Sequence, residues 1–193
     1  MGKTSVAMVA LHQDYIRKRF KENRWFLRCD RVPASRAHFL DRLAEVIGVG
    51  IKNPKDLTIL RPFLSSREMI IVLDNAESIL DPQGKNVREI REIVEEPSGI
   101  STVCLCLTSR ISAIPPTFKR LDIPTLSMRS ARAVFNSHYM DYDYGLPDSF
   151  NNILEQLDFH PISITSLAAI AYRKKWDINR LIKEWGGAAN GCA

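Results

Sequence analysis

The nine residues MIIVLDNAE, Met69–Glu77, decide the fold. The run MIIVL is apolar without alternation, which is typical of a parallel strand covered on both faces. Asp74 ends the run and therefore places a carboxylate at the carboxyl end of the strand, where ligands bind in open α/β sheets. We predict that Asp74 contributes to a Mg²⁺ shell and that Glu77 orients or polarises a water molecule. The alternative is a strand that ends in an ordinary turn.

The opening residues MGKTS, Met1–Ser5, match the end of a phosphate-binding loop, the GKT of GxxxxGK[ST]. In such a loop the glycine lets backbone N–H groups point at phosphates, the lysine neutralises charge, and the hydroxyl binds Mg²⁺. Gly2, Lys3 and Thr4 have these identities, and Ser5 is placed to reach the α-phosphate. An amphipathic helical pattern follows at once, as a phosphate loop requires. The alternative is a plain helix start that is capped by Thr4.

A third segment, CLCLTSR, Cys104–Arg110, predicts a second buried strand that ends beside polar residues. Arg110 would then lie at the same sheet edge as Asp74, where its guanidinium could sense a γ-phosphate. A surface arginine that follows a strand is the alternative. The three segments occur in an order that brings all of them to one edge, which makes the combination more specific than any single segment.

The composition is that of an ordinary globular protein, with 193 residues, 45% apolar and 25% charged. The net charge of +5 is mild, and the basic clusters KRFK and YRKK are short and lie beside apolar helical residues. These clusters indicate solvated helix faces, so we expect no nucleic-acid partner. No signal region or membrane-length apolar stretch is present in the sequence, so we expect no membrane partner and a cytoplasmic location. Four cysteines without metal-ligand spacing predict buried free thiols, with Cys104 and Cys106 on one side of a strand.

Alternating strand and helix patterns continue to about residue 124, after which helical patterns follow one another. We predict an α/β core with a parallel sheet over residues 1–124 and a small helical subdomain over residues 125–193. The predicted strands are a short run from Trp25, Met69–Asp74, STVCLCLTS and a short RLDIP strand. The predicted helices are Thr4–Lys21, a helix capped by Ser35 and ending at Gly48, one from Asn53 to Leu64, and one after DPQG that stops at Pro97. Four further helices are predicted in the subdomain, and they contain the segments Ala131–Phe135, Phe150–Leu157, Pro161–Lys175 and Ile178–Trp185.

Taken together, MGKT, LDNAE, TSR and the later HP pair resemble the NB-ARC domain of STAND-class P-loop ATPases, especially the fungal members. In that family the loop typically reads GGMGKT, the second motif LVLDNxE, and a GHP or GLP motif opens a later helix. The phrase LDIPTLSMRSARAVF is similar to the family's entry into its helical subdomain. The similarity covers essentially the whole chain.

The resemblance implies a P-loop NTPase fold with ATP or ADP and Mg²⁺ as ligands. Arg110 is the implied sensor arginine, and Pro161 is the implied contact to the adenine. The implied function is a regulatory, signal-transducing switch with slow hydrolysis at most, whose partners are other domains of a larger protein or further copies. Two departures stand out: Phe159 replaces the glycine before His-Pro, and Asn75 replaces the second aspartate of the plant-type motif.

The resemblance also implies a loop-bearing strand before Met1, and winged-helix, effector and repeat segments outside the chain. Without that strand, we expect neighbouring strands to lose a pairing partner and nucleotide binding to be weak. Two other functions stay open from the sequence alone. One is a non-catalytic interaction fragment of a P-loop fold, and the other is an AAA+ or ORC-like ATPase domain associated with nucleic acid.

Overall fold

The computed structural model describes residues 2–33, 35–51, 54, 56–80, 87–110, 116–139 and 145–189. The chain divides into two compact units, Lys3–Leu121 and Asp122–Ala193, with the first two residues assigned to the second unit. In the part of the chain that is described, no helix combines the length and the apolar character that a membrane span needs.

A parallel sheet forms the centre of the first unit, as the sequence predicts, and it has three strands among the described residues. Its strands are β1 (Arg24–Arg28), β2 (Met69–Asp74) and β3 (Val103–Leu107), in the order β1-β2-β3. In the register of the sheet Arg28 is level with Asp74, and Leu73 with Leu107. Every residue of β2 is buried, because this strand is central and both of its faces are covered.

Helices cover both faces of this sheet. On one face Ala7, Leu11 and Phe20 pack against Ile70 and Val72 of the central strand. The other face carries the larger core, in which Leu43, Leu64 and Val94 of three helices pack with Met69, Ile71 and Leu73. The helices of the unit are α1 (Lys3–Leu11), α2 (Asp14–Phe20), α3 (Arg36–Val46), α4 (Arg61–Ser65), α5 (Glu77–Leu80) and α6 (Val87–Ser98).

Local signals explain where some of these helices begin and end. The Ser35 side chain accepts a hydrogen bond from the backbone N–H of His38, as the predicted N-cap of α3 should. Gly48, with φ of 74°, follows the end of that helix in the conformation that glycine favours. Pro97, expected to stop α6, lies inside its last turn, and the helix continues to Ser98.

Several predicted elements differ in the structure. The single helix predicted over Thr4–Lys21 is two helices, because the chain turns at residues 12 and 13. The helix predicted from Asn53 to Leu64 is a 3₁₀ turn at Leu57–Ile59 followed by α4. Residues 119–127 form no strand, so the RLDIP prediction is wrong. A strand needs a neighbour to satisfy its backbone groups, and apolar residues alone do not supply one. Asn53 and the DPQG turn lie outside the described residues.

The predicted buried thiols are correct only in part. Cys29, Cys104 and Cys106 are all free, and Cys29 is buried whereas Cys104 and Cys106 are exposed. Cys192 lies outside the described residues. Cys104 and Cys106 lie on the β3 face that is level with Ile70 and Val72, so the prediction that they share one side of the strand is confirmed. They are exposed because β3 is the last strand of the described sheet, where the covering helices end.

The second unit consists of packed helices, as predicted. They are α7 (Met128–Tyr139), α8 (Asn151–Gln156), α9 (Pro161–Arg173) and α10 (Ile178–Ala189), with a 3₁₀ turn at Asp148–Phe150. Their core is built around Phe135, whose ring centroid lies 4.5 Å from that of Phe150 and 5.2 Å from that of Tyr139. Phe135 and Phe150 are fully buried, so this unit has a hydrophobic core of its own.

Candidate functional site

The carboxyl ends of the three parallel strands bring polar residues together at one edge of the first unit. Asp74 is the last residue of β2, Arg28 is level with it at the end of β1, and Thr108 follows β3 directly. Asp74 is only 1% exposed, although a carboxylate is expensive to bury without partners. The buried Asp74 carboxylate therefore requires hydrogen-bond donors from neighbouring residues.

Two hydroxyl groups bind one oxygen of Asp74. The Oγ1 of Thr4 donates to Oδ1 of Asp74 over 2.8 Å, and the Oγ1 of Thr108 donates to the same oxygen over 2.6 Å. Thr4 belongs to the first turn of α1, so the start of this helix lies at the carboxyl edge of the sheet. The structure thus brings together two residues that are 70 positions apart and that the sequence assigned to one site.

Thr108 is a member of the site to which the sequence reasoning gave no role. Besides binding Asp74, its Oγ1 accepts a hydrogen bond of 3.1 Å from the backbone N–H of Asn75. Its own carbonyl accepts from the N–H of Ala76, and its N–H donates to the carbonyl of Leu73. Thr108 therefore ties the end of β3 to the turn that follows β2. Two signals for it were available in the sequence, its position directly after an apolar strand and its place in the TSR segment.

Position 75 lies in the turn after β2 and has a backbone conformation that few residues adopt. Asn75 has a φ of 55°, in the left-handed region that asparagine tolerates better than most residues do. This turn redirects the chain from β2 into α5, which begins at Glu77. Aspartate tolerates the same region, so the backbone conformation accounts for a short polar residue at position 75.

Glu77 and Arg110 form an ion pair at this edge. The Nε of Arg110 lies 2.7 Å from Oε1 of Glu77, and the backbone N–H of Arg110 donates to Oε2 over 3.3 Å. Burial acts to raise the pKa of Glu77, but the hydrogen bonds from Arg110 and the backbone outweigh it, so the pKa lies below its ordinary value. The Glu77 side chain is 11% exposed and that of Arg110 is 73% exposed. The arginine therefore covers the carboxylate from the solvent side.

The other predicted site residues are placed as follows. Gly2 has a φ of 91°, a conformation that needs glycine, and it directly precedes α1. Lys3 is the first residue of that helix and is half-buried, and Ser5 is exposed in its first turn. Pro161 belongs to the second unit, where it opens α9, and the His160 ring accepts a hydrogen bond from the N–H of Ser163 as the cap of that helix.

The donor set at the edge fits a magnesium ion that is shared with a ligand. No group of three or more His, Cys, Asp or Glu residues suited to a metal occurs among the described residues. Mg²⁺, however, is usually held by one or two carboxylates together with waters and substrate phosphates. Asp74 and Thr4 supply one carboxylate and one hydroxyl in contact, which is the contribution such a site needs from the protein.

Comparison with known proteins extends this picture at the level of the fold. No protein-family model matches the chain, and no curated protein sequence matches it. Among solved structures, the Walker-type ATPase PABY2304 of Pyrococcus abyssi is similar, with a TM-score of 0.53 and 15% identity. The alignment covers 96% of this chain and 65% of that one. This likeness supports a P-loop NTPase fold for the chain.

Proposed function

We propose that the chain is an ATP- and ADP-binding domain that acts as a regulatory switch of the STAND type and hydrolyses ATP slowly at most. The observation that carries the proposal is the hydrogen bond between Thr4 and Asp74. It joins the hydroxyl of a GKT sequence at a helix start to a carboxylate at the end of a buried strand. In a P-loop site a hydroxyl and a carboxylate in this arrangement would hold the magnesium ion that accompanies the nucleotide.

Each remaining residue has a proposed part in nucleotide binding. Lys3 neutralises phosphate charge, and the backbone N–H groups after Gly2 contact phosphate oxygens at the start of α1. When bound, Mg²⁺ neutralises charge on the phosphates, and Asp74 and Thr4 would hold it. Ser5 contacts the α-phosphate. By the resemblance, Pro161 contacts the adenine.

Slow hydrolysis is proposed because Glu77 and Arg110 bind each other. A glutamate that orients water needs an oxygen directed at the ligand, and both oxygens of Glu77 already accept hydrogen bonds from Arg110. These hydrogen bonds have to weaken before Glu77 can act on a water molecule. A domain whose catalytic groups neutralise each other suits a switch that holds nucleotide better than a fast ATPase.

Calorimetric titration of ADP, with and without Mg²⁺, tests the proposal. The family's loop reads GGMGKT, of which this sequence carries Met1–Thr4, so we expect weak or undetectable binding by the chain as it stands. Adding an upstream segment of the form hhhhhGxGG, where h is apolar, should produce Mg²⁺-dependent binding. In that extended chain, Lys3→Ala should abolish binding and Asp74→Asn should remove its dependence on Mg²⁺.

Two outcomes would contradict the proposal or its reasoning. An extended chain that is folded by circular dichroism but binds neither ADP nor ATP would exclude a nucleotide switch. Tight binding by the chain as it stands would show instead that GKT at a helix start suffices. Exposed Lys18→Ala on α2 serves as a matched control, because it removes one positive charge away from Asp74 and should leave the titration unchanged.

A further inference from the structure

Arg28, the last residue of β1, lies on the face of the sheet that carries Asp74. The two residues are level with each other in the register of the sheet. Phe26, two residues before Arg28, packs with Val72 and with α1. Because side chains alternate between the two faces of a strand, Arg28 and Asp74 also share the face on which α1 lies. Thr4 at the start of α1 binds Asp74, so Arg28 stands beside the carboxylate of the candidate site.

The buried charge of Asp74 is not balanced by an ion pair. Its Oδ1 accepts hydrogen bonds from the hydroxyl groups of Thr4 and Thr108, which are neutral donors. No cationic side chain of the described residues forms an ion pair with this carboxylate. The hydrogen bond and the charge of Asp30 raise the pKa of Arg28, and the charge of Asp74 adds to this rise. Arg28 therefore interacts electrostatically with Asp74 without binding it.

Arg28 binds Asp30 instead, which follows two residues later in the chain. Its Nη2 lies 2.7 Å from Oδ2 of Asp30 and its Nε lies 3.2 Å from Oδ1, so two donors of the guanidinium are occupied. The two side chains are 46% and 33% exposed, and ion pairs in contact with solvent contribute little to stability. A ligand that carries more negative charge than Asp30 can therefore replace it as the partner of Arg28.

Arg110, to which the resemblance gives the contact with the γ-phosphate, has a less exposed partner. Its guanidinium binds Glu77, whose side chain is only 11% exposed, and its backbone N–H binds the other oxygen of the same carboxylate. Withdrawing this guanidinium removes a hydrogen bond from an enclosed carboxylate. Withdrawing Arg28 returns the more exposed carboxylate of Asp30 to water. Of these two arginines, Arg28 therefore leaves its partner with the smaller loss of free energy.

We propose that Arg28 is a further phosphate-binding residue, which leaves Asp30 and binds oxygens of the terminal phosphate of ATP. Arg28 would act in the nucleotide site of the proposed function, on which the inference rests. The planar guanidinium donates two parallel hydrogen bonds to phosphate oxygens as well as to carboxylate oxygens. The terminal phosphate is chosen because the carboxylate of a P-loop site acts at that end of the nucleotide, where the metal ion is held, and Arg28 stands beside Asp74.

Calorimetric titration of ATP and of ADP, each with Mg²⁺, into the chain extended by the hhhhhGxGG segment tests this contact. Arg28→Ala should weaken ATP binding at least tenfold and ADP binding less than twofold, because only the triphosphate loses a charge-assisted contact. Arg28→Lys keeps the charge without the planar fork and should restore only part of the loss. The matched control is Arg31→Ala, which removes an exposed arginine three residues later and should change both affinities less than twofold.

Asp30→Asn should have the opposite effect, because it removes the charge that holds Arg28 away from the ligand. We expect ATP binding to tighten at least threefold and ADP binding to change less than twofold. A pair that only stabilised the fold would not improve ATP binding when it is broken. In the same extended chain, ¹⁵N NMR of the Arg28 Nε–H group shows the contact directly: ATP with Mg²⁺ should shift this resonance, and ADP with Mg²⁺ should shift it much less.

The possible failures are distinguishable. If the extended chain binds ATP and Arg28→Ala binds it equally well, Arg28 does not contact the nucleotide, and the proposed function is unaffected. Equal losses for ATP and ADP in Arg28→Ala would likewise overturn the contact with the terminal phosphate. If the extended chain with Arg28 in place binds neither nucleotide, the proposed function is wrong, and the role of Arg28 is excluded with it.

Discussion

Arg110 and Glu77, 33 residues apart in the chain, bind each other at the carboxyl edge of the sheet, with Nε of the arginine 2.7 Å from Oε1 of the glutamate. The sequence predicts a separate role toward a nucleotide for each of them. Because the two side chains are paired, the pKa of Glu77 depends on the presence of Arg110. This dependence can be measured without any ligand.

The first prediction concerns the pKa of Glu77, which lies below its ordinary value of 4.5. Arg110→Ala should raise this pKa, because burial then acts without the opposing charge and hydrogen bonds. The measurement is a pH titration of the Glu77 carboxyl carbon by ¹³C NMR. Arg88→Ala, which removes an exposed arginine of α6, is the control, and an unchanged Glu77 pKa in Arg110→Ala would show that the pair is absent in solution.

The same pair contributes to stability in a definite pH range. Because the pKa of Glu77 is lowered in the folded state, the contribution is complete above the ordinary value and is lost as pH falls through the lowered pKa. We expect about 0.5–1 kcal/mol, since Arg110 is mostly exposed to solvent. Urea denaturation of Glu77→Gln between pH 3 and pH 7 should show a smaller loss of stability on acidification than the unchanged chain shows. If the free energy of unfolding falls equally with pH in the two proteins, the pair makes no such contribution to stability.

The second prediction separates the two hydroxyl groups on Asp74. Thr108→Val leaves the carboxylate and the Asn75 N–H without their shared partner, so it should destabilise the fold by about 1–3 kcal/mol. Thr4→Val removes one donor at an exposed helix start and should cost less than about 1 kcal/mol. Urea denaturation measures both, and the Thr→Ser variants, which keep the hydroxyl, should retain most of the stability. Equal losses of stability in the two valine variants would mean that the burial of Thr108 does not increase the cost of removing its hydroxyl group.

The third prediction concerns Phe159, which stands where the family usually has glycine. Its φ of 50° lies in the left-handed region, which disfavours bulky side chains. Phe159→Gly and Phe159→Ala both lose the ring, but only glycine relieves the backbone. Glycine should therefore be the more stable variant by about 1 kcal/mol. By the resemblance, Phe159→Gly should also leave ADP binding unchanged or tighter.

The control for this comparison is Ser166, which is exposed in the middle of α9. There the order should reverse, with alanine more stable than glycine by about 1 kcal/mol, because glycine is unfavourable inside a helix. Thermal or urea denaturation of the four variants gives both differences. The same order at both positions would show that the backbone at Phe159 is not strained.

The fourth prediction concerns thiol reactivity. Burial, with a smaller contribution from the charge of Asp74, raises the pKa of Cys29 to about 12. Its thiolate is therefore scarce at neutral pH, and its sulfur is enclosed. Cys104 and Cys106 are exposed, so iodoacetamide should label them well before Cys29 in the native protein. Peptide mapping by mass spectrometry reads the order, and denaturation in urea should make all three equally reactive. Early labelling of Cys29 would contradict the core described for the first unit.

The sequence by itself determined the central strand and the position of its carboxylate. A continuous apolar run that ends in Asp74 has one low-energy placement, buried on both faces with the charge at the edge. The cap at Ser35 and the helices of the second unit follow from local hydrogen bonding and periodicity, which short segments encode.

Tertiary structure alone decided which residues meet. Thr108 binds Asp74, and Arg110 binds Glu77, because β3 pairs with β2 in one particular register, and register joins residues more than thirty positions apart. The exposure of Cys104 and Cys106 likewise depends on strand order. An apolar run such as VCLCL has the same sequence pattern in an interior strand and in an edge strand. Its burial depends on neighbouring elements, which the run itself does not specify.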